Sequence, residues 1–223
     1  MIVSWDELMP HVVHDLRALV RQSLIKTQLV EKQIGPALNP ETAALLRASI
    51  EAQQKLNQFA LRLGALAQAH KTQPRELVEL EIAILGAKLH CKNELDESKG
   101  DFLAVGFEGH QVPVQIQLIL QELIGNSIRY RHPERRLQIR VDALEHMRDG
   151  TEGLCLSVSD NGSGWDPAFQ SKLMTPLERL DATRGGFGLG LAIAQTLTES
   201  CGGVLSGETT SAGSRFTVEL PRP

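Results

Sequence analysis

Glu122 and Asn126 lie four positions apart in a segment rich in Ile and Leu, so a helix there would place both on one face. A carboxylate and an amide oxygen stacked in this way can hold a hard cation. Mg²⁺ prefers one or two such ligands together with phosphates and waters. Arg129, three positions beyond Asn126, is suited to a phosphate contact. The alternative is an amphipathic helix whose polar face meets solvent, and this segment alone does not separate the two.

A second candidate site begins at Asp160, which ends a predicted strand and is followed by Gly162 and Gly164. A carboxylate at a strand end can accept a hydrogen bond from an exocyclic amino group such as that of adenine, and glycines let the backbone approach a ligand closely. The alternative is an ordinary Asp-Asn-Gly turn.

A third cluster has four glycines within six residues, at the start of an apolar helix: Gly185, Gly186, Gly188 and Gly190. Free N–H groups at a helix N-terminus, without side chains in the way, are suited to phosphate binding. The alternative is a flexible loop with a glycine-rich cap. No parallel strand precedes the loop directly, which argues against a dinucleotide-binding fold.

The N-terminal part carries a possible nucleophile. His14 and Asp15 lie in the first predicted helix. Neutral imidazole is nucleophilic near physiological pH, and a neighbouring carboxylate can hold or take its proton. His14 lies off the apolar stripe of the helix, so we expect it to be exposed, with Arg17 and Arg21 on its face. The alternative is a solvent-facing histidine on a charged helix.

Composition excludes several classes. The 223 residues carry a net charge of −4, which argues against nucleic acid binding. The three cysteines are far apart, which favours reduced thiols, and no histidine or cysteine spacing predicts a zinc site. Early charges rule out a signal peptide, and no apolar run approaches a membrane span. We therefore expect a cytoplasmic location.

Residues 4–70 predict a helical hairpin. Gly35 and Pro36 end the first helix, Asn39 is a suitable N-cap, and Pro40 suits the first position of the second helix. The short connection predicts antiparallel helices. Each predicted helix has a mostly apolar stripe whose residues are spaced alternately three and four positions apart, as in the seam of a coiled coil or helical bundle. The two stripes are Met9, Val12, Leu16, Leu19, Ser23, Lys26 and Val30, and Leu45, Ser49, Ala52, Leu56, Phe59, Leu63 and Leu66.

Further apolar residues, among them Val13, Val20 and Leu46, widen this surface beyond what two helices can cover. A homodimeric four-helix bundle follows. Lys71 to Pro74 form a short polar linker.

The remainder alternates helices and strands. We predict helices over Glu76 to Glu97, Val112 to Tyr130 and Leu189 to Cys201, and a hairpin across Ala212-Gly213. Further strands are predicted over 102–107, 137–144 and 154–159. The fold class is therefore α+β, a helical hairpin followed by an α/β sandwich with one sheet and helices on one of its faces.

Taken in order and at their spacing, the three clusters resemble those of the histidine-kinase-like ATPase superfamily, which also includes the gyrase, Hsp90 and MutL ATPase domains. The helix with Glu122 and Asn126 resembles the N box. The segment from Asp160 to Gly164 resembles the D-x-G-x-G box, and the segment from Gly186 to Gly190 resembles the G-x-G-L-G box. The resemblance covers residues from about 76 to 220.

This resemblance implies a role for each residue, with ATP and Mg²⁺ as cofactors. Asn126 would be a Mg²⁺ ligand, and Glu122 either a second Mg²⁺ contact or the carboxylate that activates a nucleophile. Arg129 would contact phosphate, and Tyr130 would pack on adenine. Asp160 would recognise adenine. The expected backbone contacts to the nucleotide are Gly162, Gly164, Gly186, Gly188, Leu189 and Gly190. Residues from about 166 to 187 would form a short lid.

The N-terminal hairpin indicates the branch of the superfamily. The sequence His14-Asp15-Leu16-Arg17 resembles the H box of sensor histidine kinases, in which His accepts the phosphoryl group and the adjacent acid assists. Residues 1–72 would then be the dimerisation and histidine-phosphotransfer hairpin, and residues 73–223 the catalytic ATP-binding domain. Further segments, 125–133 and 176–180, resemble phytochrome-type kinases. The implied partners are a second copy, the receiver domain of a response regulator, and a separate sensory chain as a candidate source of input.

The sequence departs from the family at several positions. No proline follows the His14 box, no phenylalanine occurs in the segment Leu173 to Leu177, and Ser127 stands where alanine is common. Two rival functions stay open at this point. One is a non-catalytic dimeric phosphotransfer or regulator-docking protein with a degenerate ATP site. The other is an ATPase or serine kinase of the same superfamily.

Overall fold

The computed structural model describes residues 5–69, 76–148, 150–181, 183–210 and 212–222. The chain divides into two compact units, Met1–Gln68 and Ala69–Pro223. The predicted linker and the predicted domain boundary between residues 72 and 73 lie outside the described residues, so that boundary stays a prediction.

The N-terminal unit is a helical hairpin, as predicted. Helix α1 (Trp5–Ile34) is followed by a 3₁₀ turn (Gly35–Ala37) and by helix α2 (Pro40–Ala69). The Oδ1 atom of Asn39 accepts a hydrogen bond of 2.8 Å from the backbone N–H of Thr42, which is the expected N-cap.

The contact between the two helices differs from the predicted stripe. Val13 and Val20 of α1 and Ile50 and Ala60 of α2 are buried, whereas Leu19 of the predicted stripe is 66% exposed. The stripe predicted as the seam of a helical bundle is therefore not the contact between α1 and α2, because two packed helices bury only a narrow strip of each. The predicted stripe lies on the neighbouring face of α1.

The second unit contains four helices and seven strands among the described residues. In chain order these elements are β1 (Leu77–Glu79), α3 (Leu80–His90), α4 (Lys92–Ser98), β2 (Asp101–Val105), β3 (Gln111–Pro113), α5 (Gln115–Arg129), β4 (Gln138–Arg148), β5 (Thr151–Asp160), α6 (Gly190–Ser200), β6 (Val204–Thr210) and β7 (Gly213–Pro221).

The main sheet has five strands in the order β2-β4-β5-β7-β6. Strands β2 and β4 are parallel, and the other neighbours are antiparallel. One face is apolar and buried, as Ile139, Val141, Leu156 and Val218 show. The alternating residues Gln138 and Arg140 are exposed. The sheet therefore has one covered face, as the alternation of the sequence predicts.

Helix α5 is the centre of the helical layer. Residues at positions 116, 119, 120, 123 and 124 are at most 1% exposed. The helix contacts α3, α6 and β5. The observed class is α+β, in agreement with the prediction.

Two predicted boundaries were wrong. The helix predicted over Glu76 to Glu97 begins instead with the short strand β1 and is divided at Cys91 into α3 and α4. The helix predicted from Val112 begins at Gln115, because residues 111–113 form β3, which pairs with β1 in a separate two-stranded sheet. Such a pairing involves residues more than thirty positions apart, which local periodicity does not detect.

Among the helices that the structure describes, none combines the length and the apolar character needed to cross a bilayer.

Candidate active site

Helix α5 points two oxygen-bearing side chains inward. Glu122 and Asn126 are each 8% exposed, on a helix otherwise buried through Ile and Leu. A Cβ atom placed on Gly190, at the start of α6, would lie 2.8 Å from Glu122 Oε2 and 3.5 Å from Asn126 Oδ1. The two oxygens therefore converge on one point beside the N-terminus of α6. This arrangement fits a hard cation that keeps several waters or phosphate oxygens as its remaining ligands.

The last turn of α5 supplies a positive charge to the same place. An Nη1 hydrogen of Arg129 is donated to Asn126 Oδ1 at 2.8 Å. A Cβ on Gly186 would lie 3.0 Å from Arg129 Nε, so this guanidinium lies between α5 and the glycine-rich loop. It is placed where an anionic ligand at the N-terminus of α6 would meet it.

At the end of β5, three donors hold the carboxylate of Asp160. The Gly162 N–H donates to Oδ1 at 2.8 Å. The hydroxyls of Ser127 and Ser214 donate to Oδ2 at 2.8 and 2.7 Å. The carboxylate is thus fixed between α5, β7 and its own loop.

The loop after Asp160 is tied to its surroundings by hydrogen bonds. Asn161 makes three hydrogen bonds to residues at the start of β4 and just before it. Its Nδ2 donates to the carbonyl of Arg136, and its Oδ1 accepts from the N–H of Gln138. Its backbone N–H donates to the carbonyl of Gln138. The Ser163 N–H donates to the carbonyl of Tyr130 at 3.0 Å. The loop that carries Asp160 and the end of α5 therefore form one wall.

Among the remaining predicted backbone positions, Gly164 and Gly188 have φ values of 61° and 69°. At Gly188 a side chain would collide with the backbone of Leu177 and Glu178. The Leu177 N–H donates to Gly188 O at 2.8 Å, which closes the base of the lid. Leu189 is 1% exposed and anchors the first turn of α6, which begins at Gly190.

A further residue without a predicted role also contacts this site. Arg184, in the lid, donates to the carbonyl of Arg131 at 2.9 Å and to Ser163 Oγ at 3.2 Å. Its guanidinium lies 5.9 Å from the ring centroid of Tyr130. The lid is thereby tied to the residues expected to surround adenine.

The orientation of Arg184 is fixed from within the lid. Its Nε donates to Asp181 Oδ2 at 3.1 Å. Hydrogen bonds from the hydroxyl and backbone N–H of Thr183 to Asp181, and then the charge of Arg184, hold the pKa of this carboxyl below its ordinary value of 3.8. Only the position of Arg184, directly before the glycine run, is visible in the sequence. Its partners are not.

The predicted nucleophile belongs to the N-terminal unit. His14 Nδ1 lies 3.2 Å from Asp15 Oδ1, and the two side chains are 80% and 81% exposed. The expected exposure is observed. The structure thus brings the C-terminal site residues together, whereas His14 and Asp15 form a separate exposed pair.

Comparison with known proteins gives one family match. Residues 111–223 match the family described as histidine kinase-, DNA gyrase B-, and HSP90-like ATPases. The match includes every predicted site residue of the C-terminal unit.

Similar curated proteins are sensor kinases. The chain is 27% identical to the sensor histidine kinase CpxA of Escherichia coli (strain K12), over 99% of this chain and 48% of CpxA. It is 29% identical to the sensor histidine kinase RppB of Synechocystis, over 95% of this chain and 48% of RppB. The chain thus spans about half the length of these relatives.

Similar solved structures share the fold. Full-length ShkA in complex with AMPPNP superposes with a TM-score of 0.75 at 19% identity, over 96% of this chain and 45% of ShkA. The Acinetobacter baumannii histidine kinase AdeS gives a TM-score of 0.63 at 20% identity, over 94% of this chain and 98% of that one.

Proposed function

Because the chain belongs to the histidine kinase-, DNA gyrase B-, and HSP90-like ATPase family, we propose that it is the core of a two-component sensor histidine kinase. In this proposal the C-terminal unit binds ATP, the γ-phosphoryl group passes to His14, and His14 then phosphorylates an aspartate of a response regulator. The observation that carries the proposal is the exposed His14–Asp15 pair on a helical hairpin that precedes the ATPase fold.

The side chains of the ATP site have complementary roles in this proposal. Asp160 accepts a hydrogen bond from the 6-amino group of adenine. The N–H groups at the start of α6 and the guanidinium of Arg129 bind phosphate oxygens. Asn126 and Glu122 would hold Mg²⁺, which neutralises phosphate charge when bound.

His14 and Asp15 supply the acceptor. If the Nδ1–H of His14 donates to Asp15 Oδ1, the Nε2 lone pair is left to attack phosphorus. A P–N bond forms, the bond between the γ-phosphorus and its bridging oxygen breaks, and ADP leaves. The Nδ1 proton passes to Asp15, so the phosphorylated ring is neutral. The regulator carboxylate then attacks phosphorus, the P–N bond breaks, and Nδ1 regains the proton from Asp15, so that His14 leaves as neutral imidazole.

The partners follow from the same proposal. A second copy of the chain would complete a four-helix bundle on the exposed stripe of the hairpin. A receiver domain would dock near His14. A separate sensory chain is a candidate for the input. Cytoplasmic location stays a prediction.

Incubation with γ-labelled ATP and Mg²⁺ tests the proposal. We expect acid-labile label on the wild type and none on His14→Ala or Asn126→Ala. His11→Ala is the matched control, because His11 is also exposed and lies three positions earlier on α1. This variant should label like the wild type.

A folded, dimeric wild type that neither binds nucleotide nor acquires label would overturn the proposal. The non-catalytic docking function would then be favoured. Label that persists in His14→Ala would exclude His14 as the acceptor.

A further inference from the structure

Ser127 is a buried hydroxyl without a predicted function. It is 2% exposed, directly follows Asn126 on α5, and stands where the resemblance has alanine. Its Oγ lies 2.8 Å from Asp160 Oδ2 and 3.3 Å from the carbonyl of Leu123. A hydroxyl has one hydrogen to donate, and the nearer and charged acceptor takes it. Ser127 therefore acts on Asp160.

The carboxylate of Asp160 has about four acceptor positions, two on each oxygen. The hydroxyls of Ser127 and Ser214 use both positions of Oδ2, and the Gly162 N–H uses one of Oδ1. One position therefore remains, and it lies on Oδ1.

We propose that Ser127 is a positioning residue that makes the ATP site selective for a 6-amino purine. It fixes the orientation of the Asp160 carboxylate and leaves a single acceptor for the amino group of adenine. A guanine base offers a carbonyl oxygen at that place, and an acceptor facing an acceptor is unfavourable. The inference rests on the proposed ATP site and adds to it the origin of base selectivity.

The hydrogen bonds of Ser127 indicate what the loss of its hydroxyl would change. In Ser127→Ala the second position of Oδ2 loses its donor, and the carboxylate can turn or bind water. Binding of the base amino group should weaken, whereas binding of the phosphates, which involves other residues, should not.

The measurement compares two nucleotides by calorimetry in Mg²⁺: ATP, and purine riboside triphosphate, which lacks the 6-amino group. Wild type should prefer ATP. In Ser127→Ala we expect ATP binding to weaken about three- to tenfold, with binding of the analogue nearly unchanged. On an Asp160→Ala background, Ser127→Ala should change neither affinity further.

Thr198→Val is the matched control. Thr198 is a fully buried helix hydroxyl whose bond goes to the carbonyl of Ala194, at 2.7 Å. The Thr198→Val variant should not change the ratio of the affinities for ATP and for purine riboside triphosphate. Should Ser127→Ala fail to fold, Ser214→Ala tests the same carboxylate oxygen from β7.

Equal weakening of both nucleotides in Ser127→Ala would overturn the inference, because it would indicate a packing role. An unchanged ATP affinity would overturn it too. Failure of the wild type to bind either nucleotide would instead refute the proposed function itself.

Discussion

Three polar residues interrupt the apolar surface of α5 within two turns. Glu122, Asn126 and Ser127 are all buried. A buried polar group without a partner costs about 1–3 kcal/mol. Hydrogen bonds offset this cost for two of them, since Asn126 binds Arg129 and Ser127 binds Asp160. Apolar side chains at these positions would stabilise the fold without needing hydrogen-bonding partners. The presence of polar residues therefore favours a binding function for this face of α5.

The role of Asn126 gives a prediction at this scale. ATP should bind the wild type more tightly with Mg²⁺ than with a chelator. In Asn126→Ala we expect that difference to fall about tenfold or more, because one of the proposed metal ligands is lost. Titrations with and without Mg²⁺ measure it.

Gln121→Ala provides the control for Asn126→Ala, since Gln121 lies on the same helix one position before Glu122. It should retain the Mg²⁺ effect. If Mg²⁺ strengthens ATP binding to Asn126→Ala as much as it does for the wild type, Asn126 is not a metal ligand.

At the scale of elements, the lid is held to α5 and to the loop after β5 by Arg184. This side chain contacts the ring of Tyr130, the carbonyl of Arg131 and the hydroxyl of Ser163. A basic group at the C-terminal end of a helix is favourable because of the helix dipole. The short lid is therefore tied to the end of α5 and to the loop after β5 by one side chain.

Arg184→Ala should loosen the lid. We expect faster hydrogen exchange in residues 166–187 and ATP binding weakened about three- to tenfold. Arg140→Ala, which removes an arginine paired with Asp142 on the exposed face of the sheet, should leave both unchanged. Unaltered exchange in Arg184→Ala would contradict the assigned contact.

The lid should also be insensitive to moderate acid. The folded-state pKa of Asp181 is lowered. Its hydrogen bonds with Thr183 and Arg184 are therefore complete above the ordinary value of 3.8 and are lost only as pH falls through the lowered folded value. Hydrogen exchange of the lid, corrected for intrinsic rates, should be the same at pH 8 and pH 5. An increase at pH 5 would mean that another group controls the lid.

At the scale of the whole molecule, α1 has an exposed apolar stripe beside the hairpin contact. Val12, Leu19 and Val30 are 47%, 66% and 43% exposed. Two helices that already pack on each other cannot cover this stripe, which suits a second copy of the hairpin.

Leu19→Glu should therefore weaken the proposed dimer. We expect the dimer dissociation constant to rise at least about tenfold, because a leucine that the second copy would cover is replaced by a charge. Sedimentation equilibrium measures it. Leu144→Glu is the matched control, since Leu144 is 65% exposed on the open face of the sheet. If both variants raise the dissociation constant equally, or if Leu19→Glu does not raise it, the stripe is not the dimer interface.

The sequence by itself determined the class of the protein and most of its elements. Periodicity of two and of three to four residues depends only on which face is buried, so the strands of the main sheet and α5 were predicted with small errors. Asn39 and the glycine run before α6 were informative because their backbone requirements are local. The α+β class followed from these patterns, and the ATPase family followed from the resemblance of the three clusters around Asn126, Asp160 and Gly188.

Only the tertiary structure decided what depends on distant residues. The pairing of β1 with β3, the hairpin contact through Val13 and Val20, and the hydroxyls on Asp160 join positions far apart in the chain. Ser127 looked like a minor departure in the sequence. It becomes a contact to the Asp160 carboxylate because α5 packs beside the end of β5, and no local pattern in the sequence records that packing.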